Sequence, residues 1–106
     1  MRKTIRFQVA LAAVVLLAGA AGFAQSSGEA IYKAKCQSCH GPTGLADTAV
    51  GKALKVKPVT DPAVRKFTEA EMVAATRNGM GKMQPFKDKL TDAQIKDAVA
   101  CFRSFK

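Results

Sequence analysis

The chain has 106 residues, enough for one small domain, and a formal net charge of +9 from 17 Lys plus Arg against 8 Asp plus Glu. That excess points to acidic protein partners or a membrane surface. Basic and aromatic residues do not interleave, which argues against nucleic acid.

Residues 1–24 read as a secretory signal peptide. Arg2, Lys3 and Arg6 make a basic start, and an apolar run from Phe7 to Ala21 follows. Gly22 and Ala24 are small residues at the positions a signal peptidase reads, so the expected cut follows Ala24. The alternative is a retained anchor, because no charge appears from Phe7 to Gly28. Cleavage leaves residues 25–106 as the single domain, with 14 basic against 8 acidic side chains and a net charge of +6. A domain this short rarely builds a sufficient core from side chains alone and needs a staple.

Ser26 and Glu29 form a capping box, which predicts a first helix over about 27–36. Gly28 and Tyr32 share one of its faces, and a glycine there allows another helix to approach closely. Lys33 and Lys35 should face water.

The helix runs into Cys36-Gln37-Ser38-Cys39-His40. Two cysteines two residues apart, followed at once by histidine, form the haem c attachment motif. Each thiol can add across one porphyrin vinyl group, and the histidine then presents an imidazole to the iron. Three other readings exist. A thioredoxin-like redox pair needs a βαβ pattern that this chain lacks. A zinc site needs four ligands, and only Cys101 remains to join the motif. A structural disulfide is the third. Covalent haem also supplies the missing staple, so the chain without it is expected to be largely unfolded. The export signal agrees, since haem c is attached outside the cytoplasm in bacteria.

Gly41-Pro42-Thr43-Gly44 is turn chemistry. Residues 45–60 hold no period of 3.6 or 2 and are expected to form a loop wrapping one haem edge. A backbone carbonyl in this loop, near Pro58, should accept the proton on the second nitrogen of His40. Asp61-Pro62 is an N-cap with proline at N1, opening a short helix through Phe67. Thr68 and Glu71 make a second capping box, starting a helix to about Asn78 that Gly79 stops. Two glycines and Pro85 keep residues 79–90 from being helical. Thr91 and Gln94 make a third capping box. The last helix should run from Asp92 to about Ser104, with Ile95, Ala98, Val99 and Phe102 on one buried face.

His40 is the only histidine, so a second histidine ligand from this chain is impossible. The sixth iron position falls to Met, Lys, an amine or water, or stays open. Met83 leads, because it sits in a glycine-rich loop stiffened by Pro85. Met80 is second. Met72, on a helical face, reads as core. A ligand on both sides of the iron leaves no room for substrate, so the expected role is one-electron transfer rather than catalysis. The alternative is a haem sensor or small-ligand-binding protein with an open or labile sixth position.

These residues resemble a class I cytochrome c of the short bacterial, cytochrome c6/c553-like type. The likeness rests on Gly28-Glu29-Ala30-Ile31-Tyr32-Lys33 leading into the Cys36–His40 motif and Gly41. It continues through Asn78-Gly79-Met80-Gly81-Lys82-Met83-Gln84-Pro85-Phe86 to the last helix ending Phe102-Arg103. The resemblance implies an all-α fold of about four helices around one covalent haem, with the first and last helices crossing beside it. It implies that Cys36 and Cys39 hold the haem and that His40 and Met83 ligate the iron. Two positions depart from the pattern. Gln84 stands where proline usually follows the axial methionine. Cys101 stands where an aromatic residue is common, and reads as a small buried hydrophobe or, alternatively, as a thiol that links a dimer. Lys52, Lys55, Lys57, Lys82, Lys87 and Lys89 fall in the loops expected around the haem edge. They read either as a docking ring for acidic redox partners, such as a dehydrogenase or membrane complex as donor and an oxidase or reductase as acceptor, or as an ordinary solvated surface.

Overall fold

In the computed structural model the described residues are 27–106; the expected signal peptide and the Ser26 cap lie outside them. Within that span the chain is helical at 27–35 (α1), Gln37–His40 (α2), Ala49–Ala53 (α3), Pro62–Arg65 (α4), Glu69–Asn78 (α5) and Asp92–Ser104 (α6). The described residues contain no strand, only an isolated bridge between Met80 and Met83.

Helices start where a side chain can accept an otherwise unpaired amide. Thr68 and Thr91 open α5 and α6 with complete capping boxes, Glu71 and Gln94 reaching back to the cap amide. Asp61 caps α4, with Pro62 in its first turn. Gly79, at φ 81°, stops α5. Helix α4 ends at Arg65 rather than Phe67; one further turn bond, Phe67 N–H to the Val64 carbonyl, finishes it.

The expected unbroken loop over 45–60 is interrupted by α3. Thr48 makes this helix: its hydroxyl accepts from the Gly51 amide at 2.9 Å and donates to the Ser38 carbonyl at 2.6 Å. The same side chain therefore caps α3 and fastens it to α2. At the other end Lys55 takes a left-handed φ of 57°, and the bonds Lys55 N–H to Lys52 carbonyl and Val56 N–H to Gly51 carbonyl close a Schellman motif.

Helices α1 and α6 cross where Gly28 meets Asp97. A Cβ on Gly28 would lie 2.7 Å from the Asp97 carbonyl oxygen, so only glycine fits. Beyond the crossing, Tyr32 is buried, stacked on Phe102 at 6.4 Å and edge-on to Phe105 at 5.1 Å. Helices α5 and α6 pack through Phe86, Ile95 and Val99, with Met72, Val73, Met83 and Leu90 around them. Arg103, near the end of α6, donates to the Phe67 carbonyl at 3.0 Å and ties that end to the turn before α5. The Arg77–Asp92 ion pair, at 3.0 Å on the surface, adds at most about 1 kcal/mol.

Candidate haem site

Helix α2 is a single turn with Cys36 at its N-cap and Cys39 and His40 inside it. Positions 36, 39 and 40 are spaced i, i+3, i+4, which is one helical face. All three side chains line one cavity of about 650 Å³ with a mainly apolar wall. Small-molecule and cofactor sites run from roughly 300 to 1,000 Å³. Met80 and Met83 line the same cavity, so every residue singled out for the site faces one space.

Tyr32 holds α2 in place. Its hydroxyl donates to the Gly41 carbonyl at 2.6 Å, just past the motif. Burial pushes the phenol pKa above its ordinary value, so the donating proton stays on. Phe102 then bridges Tyr32 to the motif, its ring 5.1 Å from that of His40.

Burial also lowers the imidazole pKa of His40, which keeps the ring neutral at pH 7 as a metal ligand must be. Its Nδ1 is buried without a hydrogen-bond partner. This corrects the expectation of a carbonyl near Pro58: the Pro58 carbonyl accepts the Asp61 amide at 2.9 Å instead. None of the three cysteines is in a disulfide. Burial, with Cys101 and Cys39 nearby, pushes the Cys36 thiol up to about 11, so it is protonated at neutral pH. Among the described residues no cluster of three or more His, Cys, Asp or Glu is placed to hold a metal ion.

Residues 80–83 form a tight reverse turn. Met80 N–H donates to the Met83 carbonyl at 3.1 Å and Met83 N–H to the Met80 carbonyl at 2.9 Å. Gly81, at φ 56°, takes the first central position, where a type II′ turn requires positive φ. Met83 is half-buried against Phe86, Ile95 and Val99, whereas Met80 is 53% exposed.

The family model described as "Cytochrome C oxidase, cbb3-type, subunit III" matches residues 23–100. The chain is 30% identical over 103 residues to cytochrome c6 of Synechocystis sp., covering 91% of this chain and 83% of that one. The solved KustC0563 c-type cytochrome superposes with a TM-score of 0.68 at 31% identity, covering 74% of this chain and 96% of the other. A tyrosine-to-phenylalanine variant of the same protein gives 0.65 at 28% identity, over 76% and 99%. The chain belongs to the class I cytochrome c family. It is a small all-α cytochrome with one covalently bound haem c.

The residues present fit such a group. Two unbridged thiols, a neutral imidazole with an orphaned nitrogen and the thioethers of Met72, Met80 and Met83 surround one apolar space of cofactor size. Of the six lysines read as a possible ring, Lys55, Lys57 and Lys82 line the cavity, and Lys35 joins them. Lys52, Lys87 and Lys89 are exposed elsewhere, with Lys89 bonded to the Gln84 side chain at 2.8 Å and 5.8 Å from the centre of the Phe86 ring. Met72, read as core, lines the cavity as well as packing against the core. Cys101 is half-buried beside a separate cavity of about 170 Å³, against Tyr32 and Phe105. Sequence reasoning missed Leu54, Val56, Val64 and Phe67 in the cavity wall. Leu54 and Val56 lie in an aperiodic stretch, where no pattern tells which way a side chain turns.

Proposed function

We propose that this cytochrome is a soluble one-electron carrier working between periplasmic or membrane redox partners. The observation that carries the reading is the gathering of Cys36, Cys39, His40 and Met83 around one apolar cavity. Cys36 and Cys39 are the thiols that tether the haem. His40 is the proximal iron ligand and Met83 the distal one. When bound, the group supplies a one-electron iron couple.

The chain's part is to hold and tune that couple. A neutral thioether favours the reduced metal and raises the potential. The apolar wall keeps water away, which works in the same direction. With the His40 imidazole and the Met83 thioether both held by the iron, the group would supply electron transfer rather than a binding place for substrate.

Lys35, Lys55, Lys57 and Lys82 at the cavity suit docking onto an acidic redox partner. A dehydrogenase or membrane complex is the proposed donor, and an oxidase or reductase the acceptor. The oxidase subunit named in the family description supports an oxidase among them. Removal of residues 1–24 after Ala24 would release the domain into the periplasm. Among the described residues no helix is long and apolar enough to cross a membrane.

Visible spectra of the exported protein, oxidised and reduced, test the ligands. The reading expects reduced bands of covalent haem and, in the ferric form, a sulfur-to-iron charge-transfer band. Rapid, tight carbon monoxide binding by the native ferrous protein contradicts it and indicates an open sixth position.

A further inference from the structure

The turn at 80–83 carries two thioethers where ligation needs one. Met80 and Met83 are a directly opposed, mutually hydrogen-bonded pair. In such a pair the Cα atoms are about 5.5 Å apart and the side chains stand on the same face. Both side chains line the cavity that holds Cys36, Cys39 and His40. Two equivalent soft donors therefore face one site from neighbouring positions.

Their surroundings differ in a way that ranks them. Met83 packs on Phe86, Ile95 and Val99, and Gln84-Pro85 follows it at once. Its arm of the turn is anchored and its thioether is held. Met80 lies between Gly79 and Gly81 and is 53% exposed. A Cβ on Gly79 would lie 2.9 Å from the Met83 carbonyl oxygen, so the base of that arm is tightly packed. A Cβ on Gly81 would have no neighbour within 4 Å, so open space surrounds the tip and nothing packed there stands in the way of a turn of the Met80 side chain. The exposed apolar side chain of Met80 also gains by leaving water.

We propose that Met80 is a reserve axial ligand: when the Met83 thioether is lost, by substitution or by oxidation to the sulfoxide, the turn re-aims Met80 and its sulfur takes the sixth iron position. This rests on the reading of Met83 as the resident ligand. The exchange breaks one sulfur–iron bond and forms another, with no change of oxidation state at the iron. Oxidation of Met83, where it is the trigger, adds one oxygen atom from a peroxide, which is itself reduced to water or an alcohol. The sulfoxide no longer offers a thioether, and Met80 offers the next one along the same face.

The test uses exported holoprotein in three forms: wild type, Met83→Leu, and Met83→Leu combined with Met80→Leu. Leucine keeps the volume of the side chain packed on Phe86, and Met83→Ala serves as a second variant if Met83→Leu yields no holoprotein. The readouts are the ferric sulfur-to-iron charge-transfer band and the reduction potential. The proposal expects the band to persist in Met83→Leu with a shifted potential, and to disappear in the double variant. Loss of the band in Met83→Leu overturns the proposal and leaves the Met83 reading intact; a low-spin spectrum without the band would then indicate an amine such as that of Lys82. A band and potential both unchanged in Met83→Leu show Met80 to be the resident ligand, and both readings fall. A wild type without the band overturns them together.

Discussion

Gly28 owes its identity to one contact. The backbone of α6 passes so close that the Asp97 carbonyl oxygen occupies the place of a side chain. Tyr32, one turn on, uses the resulting approach to stack on Phe102, and Phe102 in turn meets His40. The crossing thus sets the position of the imidazole through two aromatic contacts. Gly28→Ala should push the helices apart and cost about 1–3 kcal/mol, as overpacking does. Denaturant unfolding of the holoprotein measures it: the midpoint should fall at an unchanged slope. A midpoint equal to wild type would mean that the crossing relaxes freely and does not position His40.

The short helix α3 ends at a side chain in a glycine's place. Lys55 is left-handed at the C′ position of a Schellman motif, which a Cβ penalises by about 1–2 kcal/mol. Lys55→Gly removes that strain but gives the unfolded chain about 0.5–1 kcal/mol of extra freedom. The net expectation is a gain of a few tenths to about 1 kcal/mol, read as a raised unfolding midpoint of the holoprotein. A lowered midpoint would show that the lysine side chain, which lines the cavity, contributes more than its backbone costs. The same helix marks where sequence reading stops. Helices α5 and α6 were legible because Thr68 and Thr91 announce them, each with its partner three residues on. Helix α3 has only five residues, too few to show a period, and its cap also bonds the distant Ser38 carbonyl. The motif Cys36–His40 was legible because its order and spacing alone define it. The surroundings of His40 Nδ1 were not, because which carbonyl meets it depends on the path of an aperiodic chain. The two methionines were visible in the sequence, but their pairing across a turn was not.

At the scale of the molecule, the core is small for the chain it must hold. The buried apolar residues among those described are Tyr32, Ala46, Val59, Phe86, Ile95, Ala98 and Val99. Much of the remaining apolar surface faces the cavity rather than other side chains, so its burial depends on what fills that space. The chain made without haem should therefore be largely unfolded. Far-UV circular dichroism of Cys36→Ser combined with Cys39→Ser should show little helix and no cooperative melt. A cooperative, helical apo chain would mean that the core between α5 and α6 suffices by itself.

The claim beneath all of this is that Cys36 and Cys39 are both bonded to one haem. Digestion of the exported protein after lysine should release the fragment 36–52, bounded by Lys35 and Lys52. Its mass in a mass spectrometer should equal that of the peptide plus one haem, with neither cysteine free to alkylate. A fragment at the bare peptide mass, with both thiols alkylated, would contradict the account.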